Sequence, residues 1–178
     1  IEESMIVQAK GKKYSVEALL ADKSKNDLYS SFATIYLSPK DYHRIHMPFD
    51  GRLKLMKYIP GNLFSVNQRT VNNIDQVFAR NERLICNFNT EYGEIALVMV
   101  GAIFVGSMET SWEGKVTPPY TKSVKTFDYD SRQIDLFKGE ELGRFNMGST
   151  VILLMPKGSP DLNLETGQIL KMGQSISN

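Results

Sequence analysis

The sequence predicts a mainly β domain of the α+β kind, with short antiparallel strands forming a barrel or packed sheets and a few short helices. Three observations lead there. Arg52-Leu53-Lys54-Leu55-Met56-Lys57-Tyr58 alternates polar and apolar side chains, the period-two mark of a half-buried strand. Glycine turns separate such segments, as in Thr90-Glu91-Tyr92-Gly93. Little of the chain is left over for helix. With 178 residues, 42% hydrophobic and 23% charged, the chain fits one domain, residues 1–178, large enough to bury a core.

In chain order, residues 3–8 read as a short strand. Ser15 is placed to cap a helix over Val16-Glu17-Ala18-Leu19-Leu20, and 22–31 follow as a polar loop. Residues 32–37 alternate as a strand, which Pro39 breaks to start a tight turn carrying His43 and His46. Residues 73–80 suit a short helical turn, and 82–89 and 94–100 a hairpin. The apolar run 95–106 is twelve residues long with two glycines. It is too short to span a bilayer and reads as buried strands. Pro118-Pro119 opens an irregular region to about residue 132. Residues 141–147 and 150–155 enclose Gly148-Ser149, and 168–172 form a last short strand.

Charge and cysteine content narrow the function. A net charge of +1 gives no basic stripe for nucleic acid. The single Cys86 has no internal disulfide partner and reads as a small buried hydrophobe. No secretory or transit pattern is visible, and the chain does not start with Met.

The chemistry concentrates at Gly148-Ser149-Thr150, followed by the apolar run Val151-Ile152-Leu153-Leu154-Met155. A hydroxyl after a residue without Cβ can reach back to the preceding carbonyl with little steric opposition. A tight turn into a strand explains the same residues. His43 and His46 are the only histidines, and histidine is the side chain best suited to shuttle protons near neutrality. A His-x-x-His pair also fits a structural turn or part of a metal site. Metal is the weaker alternative, because no third ligand has a convincing spacing, and none is expected.

Four ordered segments resemble phosphatidylserine decarboxylases. Arg144-Phe145-Asn146-Met147-Gly148-Ser149-Thr150-Val151-Ile152 is similar to that family's self-cleaving segment, and Tyr36-Leu37-Ser38-Pro39-Lys40-Asp41-Tyr42-His43-Arg44-Ile45-His46-Met47-Pro48 to its histidine segment. Pro60-Gly61-Asn62-Leu63-Phe64-Ser65-Val66-Asn67 and Phe78-Ala79-Arg80-Asn81-Glu82-Arg83 occur in the same order, and the resemblance runs over nearly the whole chain. Met147 stands where the family commonly has Leu, a roughly volume-conserving change that usually costs less than about 1.5 kcal/mol.

The resemblance implies a mechanism. Ser149 Oγ attacks the Gly148 carbonyl and turns the peptide into an ester. Elimination frees residues 1–148 (the β chain) and leaves dehydroalanine. Hydrolysis with loss of ammonia then gives a pyruvoyl cofactor at the head of 149–178 (the α chain). The amine of phosphatidylserine forms a Schiff base with that ketone, carbon dioxide leaves, and phosphatidylethanolamine is released. The family pattern makes His46 the self-cleavage base and His43 the contact for the substrate carboxylate or for proton transfer. It places the Asp that orients the histidine in a Pro-Ala-Asp-Gly stretch upstream of residue 1, together with a membrane-associating region. The chain is therefore expected to be incomplete at its N-terminus, and its capacity to process itself stays open.

Tyr36 is a candidate wall or proton donor, with a core aromatic as the alternative. Ser65 and Asn67 are candidates for the headgroup phosphate, with a plain turn as the alternative. Leu63, Phe64, Trp112 and Tyr120 are candidate membrane contacts. The expected partners are phosphatidylserine, a membrane surface, the two chains of one precursor and another copy of the protein, with no nucleic acid. The expected location is a bacterial cytoplasmic, mitochondrial inner or ER membrane, without a transmembrane segment in these residues. Two other readings remain: an uncleaved, non-catalytic β domain of the same fold, and a hydrolase with a stable serine–histidine pair.

Overall fold

The computed structural model describes residues 1–103, 107–147 and 149–177. In chain order its elements are β1 (Met5–Ala9), β2 (Lys12–Ser15), α1 (Val16–Leu20), β3 (Tyr29–Leu37), β4 (Arg44–His46), β5 (Gly51–Ile59), α2 (Gln68–Asn73), α3 (Val77–Arg80), β6 (Arg83–Thr90), β7 (Gly93–Val100), β8 (Met108–Thr110), β9 (Gly114–Thr117), β10 (Lys125–Asp128), β11 (Asp135–Leu136), β12 (Glu141–Phe145) and β13 (Ser149–Pro156). They form three antiparallel sheets of packed layers, with no closed barrel. The largest runs β10-β5-β6-β7-β13-β3, with β11 also on β5; a four-stranded sheet runs β4-β12-β8-β9; β1 and β2 form a hairpin.

The large sheet is the middle layer. β7 and β13 are apolar almost throughout, and β6, β7 and β13 are buried on both faces over most of their length, so they lack the alternation seen in β5. On one face Phe88 meets Trp112, which follows β8, edge to face at 5.9 Å. On the other, the buried Arg83 guanidinium donates to the Leu19 and Ala18 carbonyls of α1 at 2.6 and 2.8 Å. Gln8 of β1 ties the hairpin to α2 and α3, donating to the Val71 and Ile74 carbonyls and accepting from the Val77 N–H. Cys86 lies in the core, where burial pushes its thiol pKa up.

Several expectations hold in detail. Ser15 caps α1, its hydroxyl accepting from the Ala18 N–H at 3.0 Å. β6 and β7 pair as the expected hairpin, closing at Thr90 opposite Gly93. Others need correction. Glu3 and Ser4 sit at positive φ and form a turn, which delays β1 to Met5. His46 lies in β4 rather than in the Pro39 turn, because β12 is available to pair with it. The helical stretch begins at Gln68 and breaks in two, since Ile74 leaves the helix in an extended conformation and Gln76 restarts it at positive φ. The irregular region contains β10, recruited by the open edge of β5. Residues 168–172 are not a strand: among the described residues none pairs with them, and all but Leu170 lie exposed.

No helix among the described residues is long and apolar enough to cross a membrane.

Candidate active site

Two chain crossings build the site. The segment 38–43 carries the chain from β3 in the large sheet to β4 in the small one, and between Phe145 and Ser149 the chain passes from β12 in the small sheet to β13 in the large one. β13 pairs with β3 from Ser149 opposite Leu37, and β12 pairs with β4 from Glu141 opposite His46. The Phe145 N–H donates to the His43 carbonyl at 3.0 Å. The histidine segment and the Gly-Ser segment therefore run side by side, antiparallel, across the seam between the sheets.

Ser149 opens β13 with 0% of its surface exposed. Its Oγ has no hydrogen-bond partner among the described residues, and neither has Thr150 Oγ1. A buried hydroxyl without a partner costs about 1–3 kcal/mol, so this strand start retains a polar group at the expense of stability. Gly148 lies outside the described residues.

The approach to Ser149 is clamped. The Arg144 guanidinium donates twice to Glu109 Oε2 of β8, at 2.9 and 2.6 Å. That bond holds the Glu109 carboxyl below its usual pKa range, with the Asn146 amide as a further cause. Asn146 donates to Ser107 Oγ and to Glu109 Oε1, and its backbone N–H reaches the Ser107 carbonyl. Gly143 is required in β12, since a Cβ there would collide with the Glu109 carbonyl.

The two histidines are held differently. His46 Nδ1 lies 2.7 Å from the Gly139 carbonyl, which only accepts, so Nδ1 carries the proton and Nε2 is the basic nitrogen. The Tyr42 hydroxyl donates to that Nε2 at 2.8 Å, and the two rings stack with centroids 5.8 Å apart. By the same logic His43 Nε2–H donates to the Pro39 carbonyl at 3.2 Å, which leaves Nδ1 as a buried acceptor without a partner among the described residues. Neither histidine is hydrogen-bonded to Ser149. Among the described residues no three His, Cys, Asp or Glu side chains converge as a metal-ligand set.

Other candidates are distributed more widely. Tyr36 is opposite Thr150, one residue off the Ser149 row and thus on the other face of the sheet, and is 46% exposed rather than in the core. Ser65 Oγ accepts from the Asn67 N–H, and Asn67 Oδ1 caps α2 by accepting from the Thr70 N–H at 3.0 Å. The local turn thus engages both side chains. Trp112 packs between Phe88 and Tyr129, whereas Leu63 and Tyr120 are exposed.

The other two sequence blocks meet at the same end of the large sheet. Gly61 lies against the backbone of residues 80–82, where a Cβ would come within 2.5 Å. The Asn62 N–H donates to the Arg80 carbonyl and the Glu82 N–H to the Asn62 carbonyl. The buried Asn81 amide donates to the Phe64 and Gly101 carbonyls. All four blocks thus converge near the start of β13. Tyr42 and Glu82 were not singled out from sequence; the available signal was their place inside two of those blocks.

A family profile described as phosphatidylserine decarboxylase matches residues 1–178. The chain is 55% identical over 161 residues to the phosphatidylserine decarboxylase proenzyme of Francisella philomiragia, covering 89% of this chain and 57% of that protein. It is 51% identical over 170 residues to the proenzyme of Francisella tularensis subsp. novicida, covering 94% and 60% respectively. It is 54% identical over 156 residues to that of F. tularensis subsp. holarctica, covering 86% and 55%. The chain therefore spans a little over half the length of these relatives. With the profile match running its full length, it belongs to the phosphatidylserine decarboxylase family.

Proposed function

We propose that the whole protein is a pyruvoyl-dependent phosphatidylserine decarboxylase, a carboxy-lyase that acts on a lipid at a membrane surface and releases phosphatidylethanolamine. One observation carries the reading beyond family membership: a fully buried serine hydroxyl without a partner among the described residues, at the head of a core strand, immediately after a glycine. Ser149 Oγ attacks the Gly148 carbonyl and the peptide C–N bond gives way to an ester. Elimination expels the residue 1–148 carboxylate, and water then displaces ammonia to leave a pyruvoyl group at position 149. This carbonyl supplies the electron sink that ordinary side chains lack, taking up the pair left when carbon dioxide departs.

The surrounding residues fit that conversion. His46, with Nε2 unprotonated, is the base for the serine proton, and the Tyr42 hydroxyl on that nitrogen must move aside or relay it. The Arg144–Glu109–Asn146 clamp holds the upstream side of the bond. The downstream piece stays attached after cleavage, because β13 is held between β7 and β3. His43 Nδ1 is the group for the substrate carboxylate or for proton delivery. Tyr36, Ser65 and Asn67 are assigned to the mouth of the site and the headgroup. A stable serine–histidine hydrolase pair gains no support, as Ser149 Oγ bonds to neither ring.

Intact-mass analysis of the full-length protein tests the reading. Wild type should split ahead of Ser149, and Ser149→Ala should remain one chain. An unsplit wild type would favour the non-catalytic domain.

A further inference from the structure

Across four strands, Thr150, Val100, Arg83 and Ile59 form one row. Ser149, Gly101 and Glu82 are the next residues outward on three of these strands, at the same sheet end. The following row inward, Val151, Met99, Leu84 and Tyr58, fixes the face, because side chains two apart on a strand point the same way. The Tyr58 hydroxyl donates to Glu82 Oε2 at 2.8 Å, which puts Glu82 on that face, and Ser149 shares it with Val151. Glu82 and Ser149 are thus neighbours but one, their backbones roughly 10 Å apart across the sheet at two strand spacings. Between them lies a residue with no side chain.

The carboxyl leans into that gap. A Cβ built on Gly101 would lie 3.4 Å from Glu82 Oε1. Thr117 of the small sheet donates to the same oxygen at 3.3 Å, and the Gly101 N–H donates to the Glu82 carbonyl at 2.8 Å, holding the arrangement across the seam. Glu82 is 4% exposed and has no cationic partner in any ion pair among the described residues. Its neighbour Arg83 points to the opposite face, toward α1. The active-site roles described so far do not use this carboxyl.

We propose that Glu82 is the acid–base residue of the decarboxylation step, moving one proton between the substrate's ammonium nitrogen and its α-carbon, which leaves His43 the role of holding the substrate carboxylate. This rests on the reading that Ser149 becomes the electron-accepting carbonyl. On entry an ammonium N–H bond breaks, a Glu82 O–H bond forms, and the freed nitrogen lone pair attacks the carbonyl. When the bond from α-carbon to carboxylate breaks, carbon dioxide leaves and its electron pair stays behind. The Glu82 O–H then breaks and a C–H bond forms at the α-carbon, which restores the carboxylate. The product amine takes a proton from water on release, so one proton is consumed per carbon dioxide. Burial raises the Glu82 pKa against the lowering effect of the Tyr58 and Thr117 hydrogen bonds, which suits a group that must hold a proton between two steps.

The test uses full-length protein with Glu82→Gln, an isostere that can still accept from Tyr58. Self-cleavage should go to completion by mass, while carbon dioxide release falls about 10²–10⁴-fold. With the donor gone, protons reach the former Ser149 carbon instead. The downstream chain should then accumulate alanine at its head, readable by N-terminal sequencing, with an aldehyde released from the lipid. An independent measurement uses uncleaved Ser149→Ala protein. A protonated-carboxyl infrared band that moves with ¹³C-glutamate should fade at a higher pH than the bands of exposed carboxyls, and be gone at the working pH, where Glu82 must be ready to accept a proton. Normal turnover with intact cleavage in Glu82→Gln overturns the proposal, as does a glutamate band that fades together with the exposed carboxyls should the variant fail to fold. If wild type itself does not cleave, it is the reading of Ser149 that has failed.

Discussion

Removing the hydroxyl of Ser149 should make the uncleaved protein more stable. Ser149 Oγ is buried, makes no hydrogen bond among the described residues, and sits at the start of a strand paired on both sides nearby. An unsatisfied buried hydroxyl costs about 1–3 kcal/mol, and the small void left by its removal returns part of that. A net gain of roughly 1 kcal/mol corresponds to a Tm increase of about 2–4 °C for a domain of this size. Wild type is not a fair reference because it is expected to process itself. The comparison is therefore His46→Ala against His46→Ala/Ser149→Ala, both checked by mass to be single chains, by thermal and urea unfolding. A double variant less stable than its parent would mean that the hydroxyl has a native partner, and the poised-nucleophile argument would fail.

Three other substitutions probe the surroundings. Gly143→Ala should destabilise the proenzyme by about 1–3 kcal/mol and slow self-cleavage, because the added Cβ drives β12 away from the Glu109 carbonyl; unfolding and gel-based processing rates would read both. Tyr42→Phe keeps the ring stack on His46 but removes the hydroxyl from Nε2, so the pH profile of self-cleavage should shift while the melting temperature barely moves. Glu82 has a raised folded-state pKa, chiefly from burial, so its stabilising contribution is present at acid pH and is lost as pH rises through that value. Glu82→Gln should therefore flatten the fall in Tm between acid and neutral pH, and an unchanged pH dependence would contradict the assignment of burial as the cause.

Local signals in the sequence were legible where neighbouring residues decide the structure. Ser15 and the helix behind it needed only a cap, and the β6–β7 hairpin only its turn. Long-range pairing was not legible. His46 became part of β4 because β12, nearly a hundred residues later, lies alongside it, and β10 exists because β5 offers an edge. The apolar β13 announced a core strand, yet the burial of Ser149 on a particular face depends on the register with β3 and β7. Asn67 shows another limit: a polar residue after Pro-Gly fits a turn or a headgroup contact, and only the structure shows that its side chain caps α2. Glu82 was hidden because nothing in its own segment reveals the glycine beside it on β7's outward end.

The most direct measurement is the chemical identity of residue 149 in catalytically competent full-length protein, read by tandem mass spectrometry of the downstream piece while carbon dioxide release is followed in the same sample. A pyruvoyl residue in proportion to activity is the expected result. Carbon dioxide released by a preparation in which residue 149 is still an ordinary serine in an unbroken chain would contradict the account.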